Sequence, residues 1–263
     1  MKAWKRIHIT KKRAACGVLG LLLLAAAYMG VPRAAEKVFA VAEGERRLPI
    51  YCVQTEKPQV SVSFDAAWGA DDTDELLRIL KENDVKATFF LCGYWVEKYP
   101  EEVKKIAAEG HDLGNHSATH PHMSRISSEE IAQELQKCHE NVKKLTGVEM
   151  ELFRPPFGEY DNHVIETAEQ NGYYTIQWDV DSLDWKEQGA EVEIRQVLEH
   201  KHLGNGSIIL FHNDAKYTPK VLDTILKGIQ EKGFEIVPIS QLIHRENFEM
   251  AHEGRQIPKG KDV

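Results

Sequence analysis

The fold of this chain is decided by residues 59–92, QVSVSFDAAWGADDTDELLRILKENDVKATFFLC. Polar and apolar residues alternate through residues 60–64, which is the period-two pattern of a β-strand. The acidic sequence DTDE at residues 72–75 predicts the start of a helix. The apolar run ATFFLC at residues 87–92 is typical of a buried strand. A strand, a helix and a strand in this order indicate a parallel βαβ unit.

The same alternation of short apolar runs and amphipathic stretches continues to about residue 245. Two serines and two glutamates at residues 127–130 predict the start of a long helix, and Gly147 predicts its end. We therefore expect a parallel sheet covered by helices, either open or closed as a barrel. The predicted strands are residues 60–64, 87–92, 111–116, 152–156, 174–181, 207–212 and 234–239, with a further short strand within residues 48–53.

The first 31 residues have the pattern of an export signal. Residues 1–13 contain six Lys or Arg and no acid, and residues 14–31, AACGVLGLLLLAAAYMGV, carry no charge. A cationic stretch followed by an apolar one is typical of a signal peptide or a membrane anchor. The positive-inside rule then places the leader in the cytoplasm and the rest of the chain outside.

Two fates of this segment stay open. Residues 40–42, AVA, resemble a signal cleavage site, but charged residues separate them from the apolar run. For this reason we favour an uncleaved anchor over a cleaved signal. The expected location is the cell membrane with the body of the chain extracellular, or the medium if the signal is cleaved.

We predict five segments along the chain. They are a cytoplasmic basic leader at residues 1–13, a signal or transmembrane segment at 14–31, a stalk at 32–57, a folded domain at 58–245 and a loose polar tail at 246–263. The 250 residues after the leader carry a net charge of −14, against −8 for the whole chain. A body this acidic repels phosphate backbones, so nucleic acid is not an expected partner.

Charged or polar side chains stand where five of the predicted strands end. They are Asp65, His116, Arg154, Asp181 and His212. The carboxyl ends of parallel strands meet on one face of a sheet, and catalytic residues collect on that face in βα barrels. Because a core does not bury unpaired charge, we interpret these side chains as one functional site.

His116 and His120 are four residues apart, which is one helical turn, so both rings could face one metal ion. Two histidines and one carboxylate leave positions for water, as in catalytic zinc sites. Such a metal acidifies its water and polarises a carbonyl group. In this interpretation Asp65 accepts a proton from the water, and His212 donates one to the leaving group.

In five motifs, taken in order, the chain resembles the polysaccharide deacetylases of carbohydrate esterase family 4, whose shared unit is the NodB-homology domain. The motifs are SFD (63–65), HSATHP (116–121), RPPFG (154–158), DSLDW (181–185) and LFH (210–212). The resemblance covers about residues 58–245. It implies a distorted (β/α)₇ barrel and a metal-dependent removal of N- or O-acetyl groups from sugars.

The resemblance also implies roles for the charged residues. Asp65 matches the family's catalytic base, and Arg154 matches the arginine that orients this base. His212 matches the catalytic acid. Asp181 matches the carboxylate that tunes the catalytic histidine.

The remaining matches concern the metal and the substrate. His116 and His120 match the metal-binding histidines of the family. The backbone N–H of Phe157 matches an oxyanion donor. Trp185 and Leu210 match the walls of the acetyl pocket.

The chain departs from the family at one position. The usual first motif has two adjacent aspartates, a base and then a metal ligand, but the second position here is Ala66. Gly69 would let the following loop fold back over the site. We expect Asp72 to be the third ligand. The alternatives for this ligand position are Asp71 and water, and the alternative role for Asp72 is to cap the helix. Two histidines and a carboxylate suit Zn²⁺, and Co²⁺ or Ni²⁺ would also fit.

The sequence therefore predicts an exported hydrolase of non-peptide carbon–nitrogen bonds. It would remove N-acetyl groups from N-acetylglucosamine or N-acetylmuramic acid in peptidoglycan or a related glycan, with metal-bound water as the nucleophile. The DAAWG sequence at residues 65–69 resembles a branch common in spore-forming Gram-positive bacteria. Two alternatives remain, a non-catalytic cell-wall or sporulation protein on the same fold and a small-molecule amidase. Ala66 favours the first alternative, and the export segment opposes the second.

Overall fold

The computed structural model of the protein describes residues 46–259. The predicted basic leader, the apolar segment at residues 14–31 and most of the predicted stalk lie outside the described residues. Within the described part, no helix is both long enough and apolar enough to cross a membrane. The chain from Arg47 onward forms one unit by its internal contacts.

A curled parallel sheet forms the centre of this α/β fold, as the strand–helix alternation predicted. The strands are β2 (Gln59–Ala66), β3 (Thr88–Leu91), β4 (Asp112–Asn115), β5 (Leu152–Phe153), β6 (Tyr174–Thr175), β7 (Val180–Asp181), β8 (Ile208–His212) and β9 (Glu235–Ile236). Along the sheet they follow the order β6, β5, β4, β3, β2, β8, β7, and β9 pairs with β2 beside this path.

The two edges of this sheet belong to one stretch of chain. We expected residues 174–181 to be a single strand, but β6 pairs with β5 and β7 pairs with β8, at opposite ends of the strand order. Residues 176–179 connect the two edges without belonging to either strand. The sheet must curl for one short stretch to reach both edges.

Helices cover the sheet, and the two whose starts the sequence predicted, at residues 72–75 and 127–130, are both present. The helix that starts after Ser127 has a capping box, in which the Ser127 and Glu130 side chains each bind the other's backbone N–H, and Gly147 ends it in a left-handed conformation. The helices are α1 (Thr73–Glu82), α2 (Gly93–Lys98), α3 (Pro100–Ala108), α4 (Ser128–Thr146), α5 (Asn162–Gln170), α6 (Ala190–Leu198), α7 (Thr218–Glu231) and α8 (Ile239–Leu242).

Strand β2 is buried on both faces, although its sequence alternates. Val60, Val62 and Phe64 pack in the core, while the serines between them are also fully buried. The hydroxyl of Ser61 donates to Val237 O at 2.7 Å, and that of Ser63 donates to Ile209 O at 2.8 Å. These hydrogen bonds compensate the burial of the hydroxyls, so an alternating strand fits the middle of a covered sheet.

The ordered part of the chain extends beyond the predicted folded domain at both ends. Strand β1 (Cys52–Val53), which we assigned to the stalk, pairs with β11 (Arg255–Pro258), and β11 pairs with β10 (Phe248–Met250). Val53 and Gln256 are fully buried in this small second sheet. The predicted loose tail is therefore ordered over residues 248–258, because its backbone completes a sheet with the segment before the main fold.

Candidate active site

The strand ends that carry polar residues meet, as predicted. In the parallel register, Asp65 of β2 lies opposite His212 of β8, and Leu210 lies opposite Ser63 and Asp181. These ends open into a cavity of about 620 Å³. Among the predicted site residues, those that line it are Asp65, His116, His120, Phe157, Asp181, Trp185, Leu210 and His212.

Arg154 lies beneath the cavity, fully buried, and holds Asp65. Its Nη1 donates to Asp65 Oδ1 at 2.7 Å, and its Nη2 donates to Ser63 Oγ at 2.9 Å and to Gln177 O at 3.2 Å. Its guanidinium also lies 4.1 Å from the ring centre of Phe90. This packing fixes the arginine, which supports its predicted role in orienting Asp65.

Asp65 is held in its ionised form. Burial alone would raise the pKa of this carboxyl, but the charge of Arg154, with those of His116 and His212, lowers it below its usual range. While Oδ1 accepts from Arg154, Oδ2 lies 3.7 Å from His116 Nε2. A carboxylate with one oxygen held from behind and the other near the cavity can accept a proton there.

His116 and His120 meet without forming a helical turn. Ser117 and His120 have left-handed backbone conformations, with φ of 66° and 58°, and the two rings lie 4.9 Å apart edge to face. The Oγ of Ser117 accepts from the backbone N–H of His120 at 2.9 Å. The predicted pairing of the rings is present, although its geometry comes from a tight loop instead of a helix.

Burial favours the neutral form of both imidazoles, which is the form that binds a metal. Burial lowers the pKa of His116, and it lowers the pKa of His120 to about 4. His116 Nδ1 donates to Arg154 O at 2.8 Å, so its Nε2 keeps a free lone pair. Histidines that bind metals commonly hold their other nitrogen in this way. The pair therefore fits two ligand positions of a divalent metal.

The expected third ligand, Asp72, does not join the histidines. It precedes α1 at the N-cap position without capping the helix, and it does not line the cavity. Burial raises its pKa to about 6, and the neighbouring charges that act on it are Asp214 and Asp71. Across residues 46–259 no group of three or more His, Cys, Asp or Glu is arranged to hold a metal ion. Asp72 therefore lies apart from the two histidines in this structure, and the identity of the third ligand stays a prediction.

The carboxylate that holds His212 is Asp184, whereas we predicted Asp181. His212 Nδ1 donates to Asp184 Oδ1 at 2.7 Å, while Asp181 Oδ1 accepts from the backbone N–H of Leu183 at 2.8 Å. The left-handed Leu183, with φ of 54°, turns the chain between the two aspartates and directs Asp184 to the histidine. Asp181 lines the cavity and acts on His212 through its charge alone.

The surroundings of His212 favour its protonated form, so its pKa is higher than that of an ordinary histidine. Burial would lower its pKa, but the hydrogen bond and charge of Asp184, followed by the charges of Asp65 and Asp181, raise it above its usual value. Behind Asp184, the hydroxyl of Thr218 lies 3.2 Å from Asp184 Oδ2 and 2.8 Å from Glu193 Oε1. Burial raises the pKa of Glu193 to about 7. Asp184, Thr218 and Glu193 thus form a buried support for the histidine.

Three exposed aromatic side chains surround the cavity. Trp68, Phe157 and Trp185 are each more than half exposed, and all three line it. Trp68 lies edge to face with His120, with ring centres 5.5 Å apart. Exposed aromatic faces beside a polar cavity suit the apolar faces of sugar rings. Trp185 and Phe157 were predicted from their motifs, whereas Trp68 was not.

Asn213 is another residue that sequence reasoning missed. Its Oδ1 accepts from the backbone N–H of Ala67 at 3.3 Å, and its Nδ2 donates to Gly69 O. A Cβ at Gly69 would lie 2.2 Å from Asp214 Oδ2, so a larger residue there would displace the Asp214 side chain. Asn213 follows His212 directly, and this position was the signal that could have identified it. The loop after β2 is therefore fixed to the end of β8.

Comparison with known proteins agrees with the motifs. A family model described as polysaccharide deacetylase matches residues 53–176. The chain is 36% identical over 195 residues to the uncharacterized protein YlxY of Bacillus subtilis, and this alignment covers 74% of this chain and 60% of YlxY. It is 33% identical over 190 residues to a peptidoglycan-N-acetylglucosamine deacetylase of Bacillus cereus, and that alignment covers 71% of this chain and 68% of the relative. The chain thus spans less than two thirds of the length of YlxY.

Two solved structures of one relative differ in their described activity. BA3943 of Bacillus anthracis, described as a pseudoenzyme of carbohydrate esterase family 4, superposes with a TM-score of 0.71 at 32% identity, covering 81% of this chain and 73% of that one. A mutant of the same protein is described as having restored enzymatic activity, and it superposes with a TM-score of 0.71 at 36% identity. This fold therefore occurs in both active and inactive forms.

Proposed function

This chain belongs to the polysaccharide deacetylase family, and from that premise we propose that it removes N-acetyl groups from N-acetylglucosamine or N-acetylmuramic acid in peptidoglycan or a related glycan. One observation carries the proposal. Asp65 and His212 lie opposite each other at the ends of adjacent strands, with pKa values displaced in opposite directions. A pair of groups whose environments favour a carboxylate and an imidazolium is suited to act as a base and an acid.

The proton transfers follow from these two groups. Asp65 accepts a proton from the water that attacks the acetyl carbonyl carbon, and Arg154 keeps the carboxylate oriented. His212 donates its proton to the sugar nitrogen as the carbon–nitrogen bond breaks, so the products are acetate and a free amine. The backbone N–H of Phe157 binds the carbonyl oxygen, which gains negative charge during the attack.

We also propose that His116 and His120 hold a divalent metal, Zn²⁺, with Co²⁺ or Ni²⁺ as alternatives. Two imidazoles whose neutral form is favoured by burial, beside the Asp65 carboxylate, support this. When bound, the metal would supply Lewis acidity to the water and the acetyl group. Replacing both histidines with alanine should remove bound zinc and acetate release together. Asp72→Asn, whose side chain does not line the cavity, should retain both.

The reaction is tested on purified, fully N-acetylated glycan strands. The full chain should release acetate and create free amines, and separating the products identifies which sugar is attacked. Asp65→Asn keeps the shape of the side chain and should slow release by about 10²–10⁴-fold. Wild-type protein that releases no acetate from either sugar, with or without added metal, would contradict the proposal.

A non-catalytic cell-wall protein is the second candidate function. Ala66 in place of a metal-binding aspartate favours it, as does the likeness to a pseudoenzyme. Such a protein would bind glycan strands with the same affinity before and after Asp65→Asn, and it would release no acetate. Binding and release measured on the same samples therefore distinguish the two candidates.

We further propose that the deacetylase domain is held outside the cell by the segment at residues 14–31. The six cations before eighteen uncharged residues support this orientation. Protease added to intact, wall-stripped cells should digest the domain while a cytosolic marker survives. Recovery of the intact domain in the cytosol would contradict this location.

A further inference from the structure

Phe157 has an unusual backbone conformation for its residue type. Its φ and ψ are 60° and 6°, in the left-handed region that favours glycine. A non-glycine residue is strained in this conformation, so the surrounding structure must hold it. Burial does not, because 55% of Phe157 is exposed.

Two imidazole rings hold the phenyl ring of Phe157 instead. His120 meets it edge to face, with ring centres 4.5 Å apart and an interplanar angle of 73°. His122 stacks on it, with ring centres 4.5 Å apart and an angle of 17°. The phenyl ring thus contacts an edge-on ring and a parallel ring, and both are attractive arrangements.

His122 is itself fixed by a residue that follows Phe157. Its Nδ1 donates to Glu159 Oε2 at 2.8 Å, and its backbone carbonyl accepts from the N–H of Arg125 at 2.9 Å. The next residue, Met123, is fully buried. Because the side chain and the backbone of His122 are both hydrogen-bonded, its ring can hold the phenyl ring of Phe157 in a fixed position.

The conformation of Phe157 determines where its backbone N–H points. The hydrogen bonds of this turn are donated by Gly158 to Pro155 O and by Glu159 to Pro156 O, both at 3.1 Å. Neither uses the N–H of Phe157, and Phe157 is one of the residues that line the cavity. A change in the backbone conformation of Phe157 would change the direction of this donor.

We propose that His122, held by Glu159, is a positioning residue that fixes the backbone N–H of Phe157 as a hydrogen-bond donor toward the substrate oxygen. The catalytic part of this inference rests on the proposed deacetylase function. The structural part, the control of the Phe157 backbone by a stacked histidine, does not depend on activity.

The structural part is tested by NMR on full-length protein labelled with ¹⁵N-phenylalanine, in which nine amide resonances are expected. Phe157→Tyr identifies the resonance of Phe157 by its loss. In His122→Ala that resonance should shift or broaden while the other eight stay in place. His122→Tyr, which retains a stacking ring, should restore it. An unchanged Phe157 resonance in His122→Ala would overturn the proposal.

The catalytic part is tested on the same variants. His122→Ala should lower kcat by about tenfold or more with little change in KM, since losing one oxyanion donor costs about 10²–10³-fold and here the donor is displaced instead of removed. His122→Tyr should recover most of the loss. Equal kcat values in wild type and His122→Ala would overturn the positioning role. If the wild type releases no acetate, the deacetylase function fails, and the NMR measurement still decides the structural part.

His252 provides a matched control. It is an exposed histidine whose Nδ1 lies 2.8 Å from Glu253 Oε2, outside the cavity. His252→Ala removes a similar histidine–carboxylate pair, so it should leave both the Phe157 resonance and kcat unchanged. Changes equal to those of His122→Ala would show a general effect of losing a surface histidine and would overturn the proposal.

Discussion

Both carboxylate oxygens of Asp184 bind His212. Oδ1 accepts from the Nδ1–H of the imidazole and Oδ2 accepts from the backbone N–H of the same residue, each at 2.7 Å. This double contact fixes the tautomer of the ring, so that Nε2 is the nitrogen available to the substrate. It also raises the pKa of His212 against the effect of burial.

We therefore expect Asp184→Asn to shift the pH dependence of acetate release. The acid must be protonated, so activity falls on the alkaline side as pH rises through the pKa of His212. Removing the charge of Asp184 lowers this pKa, which moves the alkaline limb to lower pH and reduces kcat by about 10²-fold. Asp181→Asn is the control, since Asp181 acts through charge alone and should produce a smaller shift. A larger shift for Asp181→Asn would restore our original assignment.

Removing Arg154 should destabilise the fold as well as the reaction. Arg154→Gln leaves the Asp65 carboxylate buried without its partner, and breaking a buried pair in this way costs about 3–5 kcal/mol. Urea denaturation should show this loss in the free energy of unfolding. Arg47→Gln breaks an exposed pair with Glu169 and should cost less than about 1 kcal/mol. Similar losses for the two variants would contradict the buried role of Arg154.

Glu193 should make the protein less stable as pH rises toward neutrality. Its pKa is raised to about 7 in the folded chain, so the native state keeps a proton that the unfolded state loses above its ordinary pKa. Between these two values, stability falls with rising pH, by roughly 2–3 kcal/mol in total. Glu193→Gln cannot ionise and should flatten this slope in denaturation curves measured from pH 4.5 to 7. Glu166→Gln, an exposed control, should keep the wild-type slope.

Trp68 should bind a sugar ring of the substrate. Trp68→Ala should raise KM for glycan oligosaccharides by roughly 2–10-fold, the equivalent of a stacking energy of about 0.5–1.5 kcal/mol, with a smaller effect on kcat. Tyr94 is also an exposed aromatic residue but does not line the cavity, so Tyr94→Ala should leave KM unchanged. An unchanged KM in Trp68→Ala would exclude this stacking role.

Much of the fold could be predicted because its signals are local. The capping residues of α4 lie within four positions of one another, and Gly147 ends that helix by its own backbone preference. The pairing of Cys52 with Arg255 has no such signal, since it joins residues 203 positions apart. The split of residues 174–181 between two sheet edges depends likewise on the curl of the whole sheet.

The same difference between local signals and long-range packing applies to the residues of the site. Strand ends and motif order located Asp65, His116, Arg154 and His212, because a parallel sheet brings such ends together without further information. Which of Asp181 and Asp184 binds His212 depends on the left-handed conformation of Leu183. Because Leu183 is not glycine, the sequence does not indicate this conformation. The position of Asp72 is a similar case, since it depends on the path of the loop after β2 and not on a local signal in the sequence.

The central claim is that Asp65 and His212 act on the same acetyl group as base and acid. A double-mutant cycle of acetate release from N-acetylated glycan strands, with Asp65→Asn, His212→Asn and the two combined, tests it most directly. Each single variant should lose about 10²–10⁴-fold in kcat, and the double variant should lose little more than the worse single one, since residues that act as a unit are not additive. A single variant with the wild-type rate, or losses that multiply fully in the double variant, would contradict the account.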